Sequence, residues 1–314
     1  MKKIVLTYIR LPPKAEERLR GVAELYNREE IGEEILPKVN IVIGYRVPSQ
    51  DLEKMERLEL FQSYAAGVDA LPWKSIPEHV VVCSNAGSNS EAVAEHAWAL
   101  ILMLAKNLHI HLQRMREGKY VQKPPKATFL KGKIIGIIGL GHIGRRIAET
   151  AKTFEMKVYA ITRSGKARIE CDFVGDPSKL DYVLGVSDVV VLSAPLTKET
   201  KWMINLKRLR RMKRDAILVN VGRADLIKRD DLLMFLEENP LFRVGIDVWW
   251  NVGERFEKDK VFFKYPNVVG TPWIAGGYGN EEVMDLMLER AVENVIKYIK
   301  SGVAGNRVDR MEYV

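Results

Sequence analysis

The chain has 314 residues, of which 47% are apolar, so its length and composition favour a folded globule of two domains over one. Its formal charge of +8 invites a nucleic-acid reading. However, the densest basic run, Arg208, Arg210, Arg211, Lys213 and Arg214, accompanies no binding motif and reads as a solvated helix face, with attraction of an anionic substrate and cofactor a sufficient use for the charge.

Cys83 and Cys171 are far apart and lack metal-ligand spacing, which argues for reduced, structural thiols in a cytoplasmic protein with no metal. The opening MKKIVLTYIR has too short an apolar run for a signal peptide and reads as a first strand. The apolar stretch 97–105 is too short to cross a bilayer, so no membrane partner is expected.

In chain order, KIVLTYI reads as a strand, PKAEERLRGV as a helix opened by proline, and VNIVIGY, LELFQSY and VVVCSN as further strands. Such alternation predicts a parallel sheet with helices on its faces. From Glu91 to Leu108 the residues are apolar around most of a helix, predicting a buried one at a domain or subunit contact. After the polar connection VQKPPKATFLKG, a second series offers the strands IIGIIGL, KVYAIT, DVVVLSA, AILVNV, FRVGIDV and NVVGT. A last helix, Glu281 to Ser301, is expected to return to the first domain. The fold class expected is therefore α/β, with two doubly wound parallel-sheet domains: a flavodoxin-like substrate domain, 1–96 plus 281–314, and a Rossmann dinucleotide-binding domain, 97–280.

The segment Lys133 to Ala151, KIIGIIGLGHIGRRIAETA, carries the sharpest signal. An apolar strand ends in Gly139, Gly141 and Gly144 at the spacing G-x-G-x-x-G, and a helix opens at His142 and Ile143. The first glycine permits the turn, the second lets main chain approach a pyrophosphate, and the third lets helix pack on strand. Free N–H groups at the helix start then face the phosphates. About twenty residues on, where an acidic residue reads the ribose of NAD, the chain has Thr162, Arg163 and Ser164, followed by Lys166 and Arg168. A guanidinium beside hydroxyls suits a 2′-phosphate, so NADP is expected, with NAD the alternative. A solvated basic loop beside a weakly discriminated adenosine is the plainer reading.

At this point the chain resembles the D-2-hydroxyacid dehydrogenases, a family that includes glyoxylate and hydroxypyruvate reductases, phosphoglycerate dehydrogenases and formate dehydrogenases. FQSYAAGVDALPW, GSNSEAVAEHAWALIL, DVVVLSAPLTKETKWMIN, MKRDAILVNVGRADLI, VGIDVW and PNVVGTPWIAGG follow in the family's order. The resemblance implies that the main chain of Ala66 and Gly67 faces a substrate carboxylate. It also implies that Arg223 clamps carboxylate and keto oxygen, a bidentate task for which guanidinium is suited. Asn89 matches a substrate position in formate dehydrogenases, or else caps the following helix. Asp247 matches the carboxylate beside the nicotinamide carboxamide, and Ala194, Pro195, Thr200, Val221, Gly222 and Gly276 match the cofactor cleft.

One departure bears on mechanism. Relatives carry a histidine in TPH, paired with a glutamate, to move the hydroxyl proton; here TPWIAGG places Trp273 at that position. Indole donates one hydrogen bond but shuttles no proton near neutral pH. WWNVGERFEKDK is about two residues longer than usual, and Glu254 aligns with the catalytic glutamate only if the extra residues precede it. His96, His109, His111 and Tyr278 are the remaining candidates for the proton.

The expected function is hydride transfer between NADP(H) and a small 2-oxo or 2-hydroxy acid, such as glyoxylate or hydroxypyruvate, in the reductive direction, with slow turnover by a homodimer. Two rivals stay open. One is a cofactor-binding sensor or interaction protein with little or no catalysis; the other is formate-type hydride abstraction, which DVWW and Asn89 favour.

Overall fold

The computed structural model describes residues 2–122 and 127–313; the stretch 123–126 of the proline-containing connection lies outside the described residues. By internal contact the chain divides into two units, Met1–Asn89 with Asn280–Val314, and Ser90–Gly279.

In the first unit, strands β1 (Ile4–Thr7), β2 (Glu24–Asn27), β3 (Ile41–Gly44), β4 (Leu60–Ser63) and β5 (Val81–Cys83) form a parallel sheet in the order β2-β1-β3-β4-β5. This is the flavodoxin-like order. Val5, Ile41, Ile43 and Leu60 are fully buried, as near-continuous apolar strands covered on both faces require. The helix Glu281–Ser301 does return to this unit. Asn280 caps its start by accepting from Glu282 and Val283, and Gly302, at φ 71°, ends it. Ala291, Val292 and Val295, at helical spacing, pack among Leu19, Ile41 and Cys83.

The second unit holds β6 (Ile134–Ile138), β7 (Lys157–Ile161), β8 (Phe173–Gly175), β9 (Val189–Leu192), β10 (Ile217–Asn220), β11 (Arg243–Ile246) and β12 (Val268–Gly270). All are parallel, in the order β12-β11-β10-β9-β6-β7-β8. This is the Rossmann order with one strand added beyond the sixth.

Three expectations need correction. The sequence reading missed β2 and β8, both at sheet edges, where a short strand is buried on too few positions to leave a periodic signal. The helix expected over 91–108 spans Ser90–Ala105 and stops where Asn107 turns left-handed at φ 52°; a separate helix, Leu108–Arg116, follows. The domain boundary expected after residue 96 lies between Asn89 and Ser90, because the whole helix Ser90–Ala105 packs on β10, β11 and the helix His142–Thr153.

The basic run is largely neutralised locally: Arg208 and Arg211 pair with Asp181, Arg210 with Glu238, and Lys213 with Asp188. Among the described residues no helix is long and apolar enough to cross a membrane.

The glycine turn makes a stability prediction. A Cβ on Gly144 would lie 2.2 Å from the main-chain oxygen of Gly139, whereas one on Gly141 meets nothing within 4 Å. Gly144→Ala should cost roughly 1–3 kcal/mol, the range for overpacking, while Gly141→Ala should stay within about 0.5 kcal/mol. Urea denaturation of both variants checks this, and equal midpoints would contradict it.

Candidate functional site

The site candidates of the second unit sit at the carboxyl ends of its strands. After β6, Gly139 adopts φ 98°, and any Cβ there would strike the main-chain nitrogen of Ala194 at 2.6 Å, so both conformation and space require glycine. Ser193, which sequence reasoning missed, ties this turn to the end of β9 by donating from Oγ to the Gly139 carbonyl at 2.7 Å. The helix His142–Thr153 opens at Gly141 without a side-chain cap. Its first N–H groups therefore lack intrahelical partners beside open space, which fits a pyrophosphate.

Past β7, the Thr162 hydroxyl donates to the Lys166 carbonyl at 3.1 Å and closes a turn in which Gly165 takes φ 66°. Arg163 and Ser164 are exposed on that turn. The sequence reading saw no carboxylate here, but Asp176, following β8, lies against it, with its Cβ 3.4 Å from where a Gly165 Cβ would stand. Its carboxylate accepts the Ser178 main-chain N–H at 2.9 Å, and hydrogen bonds from Ser178 hold its pKa below the ordinary value. Past β9, Thr200 donates to the Pro195 carbonyl at 2.7 Å and shapes the loop on which Ala194 and Pro195 stand.

Arg223 follows β10. Buried Asn220, another residue missed because it ends an apolar run, accepts the Gly222 N–H at 3.1 Å and donates to the Arg223 carbonyl at 2.9 Å. Val221 and Gly222 are thereby held in a fixed bend, and the Arg223 Nη1 donates to the Gly222 carbonyl at 2.8 Å.

Asp247 follows β11 and is 1% exposed. Its carboxylate accepts the Thr271 hydroxyl at 2.7 Å, the Ile274 N–H at 2.9 Å and the Ala275 N–H at 3.0 Å. These bonds gather the turn after β12 that carries Trp273. Trp273 is half-buried at φ 58°, a left-handed conformation unusual for a bulky residue, and its ring lies 6.3 Å from that of exposed Tyr278. The two tryptophans of DVWW brace two segments: Trp249 Nε1 donates to the Thr271 carbonyl before the Trp273 turn at 2.8 Å, and Trp250 Nε1 to that of Ile227, past Arg223, at 3.0 Å. His96 reaches this cluster from the helix Ser90–Ala105, with Nε2 2.8 Å from Thr271 Oγ1 and 3.6 Å from Asp247 Oδ1.

The other candidates stand apart from it. Glu254 is exposed on the 3-10 turn Gly253–Lys258, and its side chain makes no hydrogen bond or ion pair among the described residues. The carboxylate that this longer segment buries is Asp259, fully buried, paired with Arg229 at 2.7 Å and accepting from the main-chain N–H and the side-chain amide of Asn251. His109 Nε2 contacts the Pro266 carbonyl at 2.9 Å, and His111 shares its helix. Gly276, half-buried, follows the turn held by Asp247. In the first unit, Ala66 and Gly67 are half-buried just beyond the carboxyl end of β4, where Asn85 braces the loop by donating to the Tyr64 carbonyl at 2.9 Å. Asn89 is that unit's last residue before the helix Ser90–Ala105. No cluster suited to a metal ion occurs among the described residues.

Residues 98–275 match the family model for the NAD-binding domain of D-isomer specific 2-hydroxyacid dehydrogenases. The chain is 32% identical to a glyoxylate reductase of Pyrococcus furiosus, over 90% of this chain and 87% of the relative. It is 28% identical to a hydroxypyruvate reductase of Thermotoga maritima, over 90% and 92%. A structure from Pyrobaculum aerophilum, provisionally assigned as a formate dehydrogenase, is 36% identical, with a TM-score of 0.87 and complete coverage of both chains. The chain belongs to the D-isomer specific 2-hydroxyacid dehydrogenase family.

Proposed function

We propose that this chain reduces a small 2-oxo acid, of the glyoxylate or hydroxypyruvate class, with NADP(H) as cofactor. The observation that carries this reading is positional. The glycine turn, the Arg163 turn, the Pro195 loop, Arg223, Asp247 and Trp273 follow β6, β7, β9, β10, β11 and β12 in turn, so all stand at the carboxyl ends of one parallel sheet, where such sheets bind ligands. A bound nicotinamide cofactor supplies the hydride. The helix start at His142 and Ile143 holds the pyrophosphate, Arg163 meets the 2′-phosphate, and Asp247 lies toward the carboxamide. Arg223 takes the substrate carboxylate and keto oxygen. The relatives' names support the substrate class.

Trp273 stands where the proton-transferring histidine would be, and the Glu254 side chain makes no hydrogen bond or ion pair among the described residues. Missing acid–base help costs typically about 10²–10⁴-fold, so slow turnover is expected rather than none. A homodimer is part of the proposal. Leu108, Leu112 and Met115, at i, i+4 and i+7 on one helix face, are 45%, 53% and 58% exposed, an apolar stripe suited to burial against a second copy.

Formate oxidation is the second reading, favoured by the Pyrobaculum aerophilum likeness and by the fact that formate yields no hydroxyl proton for Trp273 to handle. NADPH oxidation with a panel of 2-oxo acids, run beside NADP⁺ reduction with formate, decides between them. Slow reduction of 2-oxo acids and no formate activity are expected. Activity with formate alone would replace the reading, and tight cofactor binding without turnover would make the chain a binding protein.

Cofactor choice has its own test. NADPH should bind more tightly than NADH, and Arg163→Asp should reverse that order by removing the phosphate's counter-charge. Fluorescence titration of both cofactors measures it; equal or tighter NADH binding by the unaltered chain would sink the assignment.

A further inference from the structure

The mechanism proposed above leaves His96 unused, yet this histidine faces the most constrained part of the site. Thr271 Oγ1 donates its one proton to Asp247 Oδ1 at 2.7 Å. The 2.8 Å contact between Thr271 Oγ1 and His96 Nε2 must then be donated by the ring, which fixes the proton on Nε2. The same nitrogen lies 3.6 Å from Asp247 Oδ1. Asp247 in turn holds the Thr271 hydroxyl before the left-handed Trp273 bend and the N–H groups of Ile274 and Ala275 after it.

We infer that His96 is a positioning residue: its Nε2–H, acting through Thr271, orients the Asp247 carboxylate toward the nicotinamide end of the cofactor and holds the Trp273 turn in its left-handed form. The inference rests on the proposed cofactor reading and deepens it. Buried carboxylates are oriented by the donors around them, and a hydroxyl that both accepts and donates transmits orientation from one group to the next. Without the imidazole, the Thr271 hydroxyl loses the donor that sets its rotamer and is free to turn from Asp247. One carboxylate oxygen would then be less constrained, while the glycine turn and the Arg163 turn, on β6 and β7, would be untouched.

The test compares NADPH with 2′,5′-ADP, which carries the adenosine end and lacks nicotinamide. For His96→Ala, NADPH binding should weaken about three- to tenfold, the worth of one hydrogen bond, with 2′,5′-ADP unchanged. His96→Gln, whose amide N–H supplies the same donor, should recover NADPH affinity to within about twofold of the unaltered chain, a difference smaller than one net hydrogen bond. Thr271→Val should reproduce the loss and Thr271→Ser should not. The inference is overturned if His96→Ala binds NADPH normally, if both nucleotides weaken together, or if His96→Gln fails as His96→Ala does. Failure of the unaltered chain to bind either nucleotide, or its NADH or ADP counterpart, is a separate result: it removes the cofactor reading and this inference with it.

Discussion

A carboxylate at 1% exposure is costly unless donors surround it, and the organisation of the second unit's site follows from where Asp247 finds them. They come from the Thr271 hydroxyl and from two main-chain N–H groups beyond β12. The Asp247 N–H itself donates to the Asn220 carbonyl at 3.1 Å, so one residue links the ends of β10, β11 and β12. Arg223, Asp247 and Trp273 are thus not three independent loop residues. Displacing the carboxylate would release the turn that holds Trp273 against its backbone preference.

The two ends of the cofactor region are built differently. At the glycine turn the chain relies on main chain: a positive φ at Gly139, a 2.2 Å gap that only glycine fills at Gly144, and open space at Gly141. At the Trp273 end it relies on side chains, with Asp247, Thr271, His96 and Trp249 in one hydrogen-bonded set. Main-chain sites of the first kind tolerate almost no substitution at Gly139 and Gly144. Networks of the second kind can exchange single members while keeping their shape.

Legibility in the sequence divides along the same line. The glycine turn was readable because its roles are local, set within six residues. Strands covered on both faces announced themselves as apolar runs, while β2 and β8, short and at the edges, left no pattern. The end of the helix at Ala105 was hidden because Leu108 continues the apolar text and only the left-handed Asn107 interrupts it. His96 and Thr271 are 175 residues apart, and neither carries a local signal of the other. Asn220 was read as the end of a strand, although its amide shapes the bend before Arg223. In the longer segment after DVWW the sequence drew attention to Glu254, whereas the buried and paired carboxylate is Asp259; burial of one acid among several neighbours is decided by tertiary packing.

In the proposed function the hydride side of this site is built and Trp273 occupies the place of the missing proton donor. The most direct test is the rate of glyoxylate or hydroxypyruvate reduction by Trp273→His, measured beside the unaltered chain together with the melting temperature of each. The account predicts a modest rise in turnover with little change in melting temperature, since an imidazole would gain a place to act but no partnered carboxylate to orient it. Unchanged turnover with a lowered melting temperature would contradict it, showing that the indole serves to fill space and that the proton comes from elsewhere.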